Sequence, residues 1–257
     1  MLVLFVGDVV STAGRKVLHH FLPIIKEKYN VDFVIVNGEN SAGGFGVSKK
    51  TYKELIQYGA DLITTGNHVF DNKEILEVIK EAENIIVPYN LFPWTPGKKI
   101  YTNDELNLAV INLQGKTFLD TPISPLVSIK NLQAEKFFDK YENIIVDLHA
   151  EATAEKYMIA HILDGKVSAV IGTHTHVQTA DSKILPNGTF YISDVGMCGS
   201  YNSIIGFKIS NILEKFETGI SNKFEPEREK PYIFNAVLLE IENGKTKNFT
   251  VFNEKLE

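Results

Sequence analysis

Short runs of three to five apolar residues recur along the chain. Each is followed by polar or Gly-bearing residues and then by a segment whose apolar positions return every three or four residues. That pattern predicts strands feeding helices, the repeating unit of an α/β fold. The strand runs are residues 2–6, 33–37, 62–64, 108–112, 144–147, 169–171 and 189–193, and the helical segments are 16–28, 49–58, 73–82 and 153–163. Ser48 stands where an N-cap is needed, since its hydroxyl can accept from an orphaned N–H of the first turn. The tail from 231 to 252 reads as a hairpin, with Asn243-Gly244 turning between 234–241 and 248–252. No repeat, low-complexity tract or linker interrupts the pattern, so residues 1–257 are expected to form one domain, with 88–97 and 117–125 as long Pro-containing loops.

What stands at the end of each strand carries the chemistry. The runs lead in turn into Gly7-Asp8, Gly38-Glu39-Asn40, Gly66-Asn67-His68, Asp147-Leu148-His149 and Gly172-Thr173-His174-Thr175-His176. In an open α/β sheet the crevice beyond the carboxyl ends of the strands is the ligand site, so these tips can converge although they are distant in sequence. Each alone is weak. An Asp after a strand is an ordinary turn former, Gly-Asn-His is an ordinary turn, and His149 beside Leu148 could be a hydrogen-bonded core histidine. His174 and His176 are stronger, because alternate residues face the same side if the backbone there is extended. A carboxylate, a carboxylate with an amide, an amide with a histidine, a histidine and a His-x-His, all at strand ends, together predict a metal site.

Composition narrows the partners. About 44% apolar residues suffice for a sizeable core. A net charge of −6 and a pI near 5.7 argue against a duplex nucleic-acid partner, which would need clustered Lys and Arg. Cys198, the only cysteine, excludes an internal disulfide and suits a reducing compartment, so a cytoplasmic location is expected. The apolar opening, residues 1–6, is cut by Gly7-Asp8 too early to cross a membrane, and no membrane partner is expected.

The order of the motifs resembles the calcineurin-like metallophosphoesterases, whose pattern runs Asp-x-His, Gly-Asp, Gly-Asn-His, His and Gly-His-x-His. The variants Gly7-Asp8-Val9-Val10, Gly38-Glu39-Asn40, Asp147-Leu148-His149-Ala150-Glu151 and Gly172-Thr173-His174-Thr175-His176 are similar to a narrower branch. So are Ser193-Asp194-Val195-Gly196-Met197 and Ile204-Ile205-Gly206. That branch is the bacterial YmdB-type family of 2′,3′-cyclic-nucleotide phosphodiesterases. The resemblance implies an α/β fold, a four-layer αββα sandwich of the metallo-dependent phosphatase type. It implies two metal ions per chain, iron or manganese: one on Asp8, Glu39, Asn40 and His176, the other on Glu39, Asn67, His149 and His174. Val10 stands where the wider superfamily has a histidine, and Asn40 takes that place in this branch.

The activity so implied is hydrolysis of a small cyclic nucleotide to a nucleoside monophosphate, by in-line attack of a metal-bridging hydroxide. His68 is the catalytic candidate that protonates the leaving oxygen, with Asp71 as a loosely held partner. Phe45, in the Gly-rich stretch after Glu39, is a weak candidate for binding the substrate through the face of a base. Asp147 and Asp181 are candidates to orient histidine ligands, whereas Glu151 and Glu155 read as charges complementing a helix start. Two alternatives stay open: a regulatory nucleotide-binding protein acting through partners in RNA turnover, and a phosphomonoesterase or nuclease. The oligomeric state is open as well, a homo-oligomer included.

Overall fold

The computed structural model describes residues 1–220 and 223–257. The first part of the chain forms β1 (Leu2–Val6), β2 (Asp8–Val9), α1 (Ser11–Tyr29), β3 (Phe33–Asn37), α2 (Lys49–Gln57), β4 (Leu62–Thr64) and α3 (Ile75–Glu81). There follow β5 (Ile100–Asn103), β6 (Leu108–Gln114), α4 (Pro125–Ala134), β7 (Asn143–His149), α5 (Thr153–Leu163), β8 (Ala169–Thr173), β9 (Lys183–Ile184) and β10 (Phe190–Ile192). The chain ends with β11 (Met197–Ser200), α6 (Ile209–Thr218), β12 (Tyr232–Glu242) and β13 (Lys245–Leu256).

Two sheets result. The first has the order β2-β11-β12-β1-β3-β4, with β13 also paired to β12, and the second has the order β5-β6-β7-β8-β10-β9. Side-chain alternation assigns the layers. In β1, Leu4 and Val6 join Val34, Val36, Phe234 and Ala236 in a core shared with Val17, Leu18 and Leu22 of α1 and Leu55 of α2. The intervening Val3 and Phe5 face the other way, into a core with Leu108, Val110, Ile145, Ile171 and Phe190 of the second sheet. On the far side of that sheet Ile111, Val146, Leu148 and Val170 pack on Ile129 of α4 and Ile159, Ala160 and Leu163 of α5. The molecule is thus a four-layer αββα sandwich. Each of its central strands is buried on both faces, which explains why they read as continuous apolar runs. A one-residue slip of β1 would exchange apolar for apolar between its two faces, so its register is set by the shapes of the two cores it fills rather than by polarity.

Helix α1 starts at Ser11, five residues before the expected start at Lys16. The reason is Gly14, which reads as a breaker yet permits close approach: a Cβ there would lie 2.3 Å from the Cys198 carbonyl oxygen on β11. The sequence pattern also left α4, α6 and β11 unassigned. Pro125 sits in the first turn of α4, where its missing N–H costs nothing. The Ser48 cap is present, as a capping box with Thr51. The turn at Asn243-Gly244 has both residues at positive φ, 50° and 72°, as a tight hairpin requires. Among the described residues no helix is long and apolar enough to cross a membrane. Parallel β1, β3 and β4 end on the same edge of the sandwich as β7 and β8, and their tips carry the polar residues singled out above.

Candidate metal centre

At that edge Nε2 of His149 is a meeting point. It lies 2.8 Å from Glu39 Oε1, 3.0 Å from Asn67 Oδ1 and 3.0 Å from His174 Nδ1. Glu39, His149 and His174 present ligand atoms within 4.8 Å of one another, a spacing one ion can span. Glycine keeps the place open, because a Cβ on Gly66 would stand 2.3 Å from Glu39 Oε2 and 2.5 Å from His149 Nε2. Beside it is a second group. His176 Nε2 lies 3.3 Å from Asn40 Oδ1 and 3.9 Å from Asp8 Oδ1, and that Asp8 oxygen is buried with no hydrogen-bond partner. The sandwich therefore brings all seven expected ligand residues to one place.

The hydrogen bonds fix which atoms face inward. His176 Nδ1 lies 2.9 Å from the Ile205 carbonyl, which can only accept, so Nδ1 carries the proton and Nε2 offers a lone pair. Asn40 Nδ2 donates to the Gly44 carbonyl, which turns Oδ1 toward His176. Two acceptors thus face each other at 3.3 Å with no proton to share. His174 Nε2 stands 3.1 Å from Glu151 Oε2, which leaves its Nδ1 as a lone pair aimed at His149. Thr173 Oγ1 donates to Asp147 Oδ1 and is 2.9 Å from His149 Nδ1, so Asp147 orients His149 through the threonine hydroxyl. Acceptors facing acceptors, an orphaned carboxylate oxygen and a cradle that only glycine leaves open are what a cation site looks like, and the donor set fits metal ions.

Charge balance agrees. Burial, with Asp194, Glu39 and Asp147 nearby, pushes the Asp8 carboxyl well above its ordinary range against the pull of His149. Burial would also raise Glu39, but the His149 imidazolium beside it prevails and holds it down at about 2. His149 in turn is pushed up to about 9, because Glu39 outweighs the burial that would lower it. Burial and the His149 charge push His174 down to about 3, and burial lowers His176. One proton on His149 Nε2 thus faces three lone-pair atoms, a task for which a divalent ion is better suited.

The backbone beneath the histidines is strained. His174 and His176 have φ of 104° and 66°, values that non-glycine residues rarely adopt. Lys156 of α5 holds this turn in place. Its side chain is 1% exposed, and Nζ donates to the Thr173 carbonyl at 2.9 Å and to Asp194 Oδ2 at 3.1 Å. Asp194 also accepts from the backbone N–H groups of Thr175 and Gly196. Sequence reasoning missed both residues as a pair: a lysine on a helix reads as a solvated charge, and nothing in the spacing ties 156 to 194.

His68 Nδ1 lies 2.8 Å from Asp71 Oδ2, so the expected partner is in contact. The His68 backbone N–H donates to Glu39 Oε2, and the residue lines the same cavity as the candidate ligands Glu39, Asn40, His174 and His176. Phe45 stands over His68 with ring centroids 4.9 Å apart. Asp181 touches no ligand histidine; it accepts from Ser193 N and Oγ and from Thr179 Oγ1. Glu151, read as a helix-dipole charge, is the partner of His174, and Glu155 accepts from the N–H groups of Lys116 and Thr117.

A model of the YmdB-like protein family matches residues 4–252. The chain belongs to the YmdB-like family. It is 45% identical over 250 residues to the 2′,3′-cyclic-nucleotide 2′-phosphodiesterase of Bacillus subtilis strain 168, covering 96% of this chain and 94% of that protein. Two crystal structures superpose closely. A hypothetical protein from Thermus thermophilus has a TM-score of 0.92 at 38% identity, covering 99% of both chains. A novel phosphatase from Mycoplasma pneumoniae has a TM-score of 0.92 at 32% identity, covering 99% of this chain and 93% of its own. Membership of the YmdB-like family makes this chain a phosphoesterase with the metallophosphoesterase sandwich.

Proposed function

We propose that the chain is a dinuclear-metal phosphodiesterase that opens 2′,3′-cyclic nucleotides to nucleoside monophosphates. The observation that carries this reading is the pair of adjacent groups, one in which acceptor atoms of Glu39, Asn67 and His174 converge on His149 Nε2 and one in which those of His176 and Asn40 face each other. Glu39, Asn67, His149 and His174 would hold one ion and Asp8, Asn40 and His176 the other, with Glu39 shared between them. Mixed oxygen and nitrogen donors suit iron or manganese. Bound there, two divalent ions would supply Lewis-acid charge to the phosphate oxygens and lower the pKa of solvent between them.

The chain's own residues do the rest. Asp8 and Glu39 are the only carboxylates of the seven, so the amide and imidazole ligands leave net positive charge for a monoanionic diester. Asp71 accepts from His68 Nδ1–H, which leaves His68 Nε2 to carry a proton and release it to the departing ribose oxygen. The Bacillus relative is named for cleavage at the 2′ position, so the expected product is the nucleoside 3′-monophosphate. A lone, buried Cys198, its thiol pushed up to about 12 mainly by burial, suits the reducing cytoplasm. The test is elemental analysis of anaerobically purified protein, followed by a panel of cyclic nucleotides, phosphomonoesters and short RNA. About two metals per chain and highest kcat/KM on a 2′,3′-cyclic nucleotide are expected. Fewer than one metal, or a 5′-mononucleotide as the better substrate, refutes the proposal.

A further inference from the structure

The cavity above the metal centre has a volume of about 510 Å³ and two unlike halves. Its floor is polar, made by Glu39, Asn40, His174 and His176 with His68 at the side; its wall is aromatic, made by Phe45, Phe207 and Phe224. Breaking a phosphate ester requires the floor and has no use for the wall. Yet the wall is built with care from two segments far apart in the chain. The Phe207 ring stacks on Phe45 at 5.4 Å and 29°, and lies 5.8 Å from Phe224. Phe207 is 5% exposed, whereas Phe45 and Phe224 are half-buried and line the cavity. Gly44, at φ 95°, makes the junction possible, because a Cβ there would stand 2.9 Å from the Phe207 ring.

The wall is also tied to the floor. Ile205, two residues before Phe207, gives its carbonyl to His176 Nδ1, and Phe45 meets the His68 ring edge-on at 75°. The segment that orients a ligand histidine therefore positions the aromatic rings too. A molecule whose phosphate rests on the floor must direct its remaining part along flat, apolar faces. Planar aromatic groups cover such faces well, and each base stacked on an aromatic side chain gains an appreciable free energy whatever its identity. The rings and their neighbours Ile205 and Ile212 present flat apolar faces, with the Lys215 Nζ 4.5 Å from the Phe224 ring centroid and Glu151 and Thr175 elsewhere in the lining, so the shelf itself meets a base by its face.

From this we infer that Phe45 and Phe224, buttressed by Phe207, form a nucleobase-stacking shelf. The inference rests on the cyclic-nucleotide reading above. The readout is the ratio of kcat/KM for adenosine 2′,3′-cyclic phosphate to that for 1-O-methylribose 2′,3′-cyclic phosphate, which lacks the base, measured on the metal-loaded protein. In the wild type this ratio is expected to be on the order of 10 to 100. Phe45→Ala and Phe224→Ala should each lower it about tenfold through KM, and Phe45→Trp should restore it. A ratio near one in the wild type, or one unchanged in both alanine variants, overturns the shelf. Should the wild type hydrolyse neither compound, the cyclic-nucleotide reading falls by itself. Binding of adenosine 3′-monophosphate against ribose 3-phosphate then decides the shelf: tighter nucleotide binding that Phe45→Ala abolishes upholds it, and equal affinities overturn it.

Discussion

Replacing Lys156 with methionine keeps the length of the side chain and removes its charge. In the folded protein this strands Asp194, which is fully buried and holds the turn between His174 and His176 through the Thr175 N–H. Removing one partner of a buried ion pair costs about 3–5 kcal/mol, because the remaining charge has neither water nor a counter-ion. The lost bond to the Thr173 carbonyl adds to that within the same range. For a chain of this size each kcal/mol moves the melting temperature by about 2–4 °C, so Lys156→Met should melt roughly 6–20 °C lower. Thermal and urea unfolding of metal-loaded and chelator-treated protein measure this. A positioning role makes a second demand: with the strained turn released, affinity for metal should fall as well, read by competition with a chelator dye. Asp194→Asn placed in the Lys156→Met background removes the stranded charge while keeping an acceptor for the turn, and should recover at least half of the loss. A melting point within about 2 °C of wild type with unchanged metal affinity, or a double variant no better than the single, would refute the reasoning.

Glu39→Ala should lose both metal ions in elemental analysis, because its carboxylate is the proposed shared ligand; retention of either at normal affinity removes it as the bridge. His68→Ala should keep its metal and lose about 10²- to 10⁴-fold on a cyclic nucleotide but far less on bis(nitrophenyl) phosphate, whose leaving group needs no proton. Equal losses would make His68 a phosphate-positioning group instead. In chelator-treated protein the raised pKa of His149, about 9 in the fold against 6.5 outside it, stabilises the fold fully below 6.5 and ceases to do so as pH rises through 9. The urea midpoint should therefore fall across that window and stay level in metal-loaded protein, where the ion replaces the proton; a flat profile after chelation contradicts the assigned charge. Gly66→Ala should abolish metal binding outright, since its methyl would collide with Glu39 and His149.

Much of the fold was legible because central strands buried on two faces write themselves as apolar runs: residues 2–6, 33–37 and 62–64 coincide with β1, β3 and β4. Helix α5 and the cap at Ser48 were equally plain, one from its apolar spacing and the other from side-chain chemistry. What escaped notice depends on partners remote in sequence. The strand β11 carries Gly199 in a stretch without alternation, and it exists because β12 and β2 flank it. The candidate ligands were legible since each follows a strand, and strand ends converge. The Lys156–Asp194 pair and the contact of Glu151 with His174 were not, because burial of a charge and the aim of a side chain are properties of the packed whole.

The place of β12 has a consequence for how the protein is made. It lies between β1 and β11, pairing Leu2 through Val6 with Glu240 through Ala236, and it accepts the Gly7 N–H at Asn235. Asn235 also donates from its side chain to the Met197 carbonyl. The strand leading to Asp8 therefore meets β3 early on one side, but its partner on the other side lies more than two hundred residues further along the chain. Until β12 emerges, a nascent chain carries one open apolar edge beside the strand that leads to Asp8. A chain interrupted before β12 is therefore expected to expose that edge to solvent, and supplying an ion would not cover it.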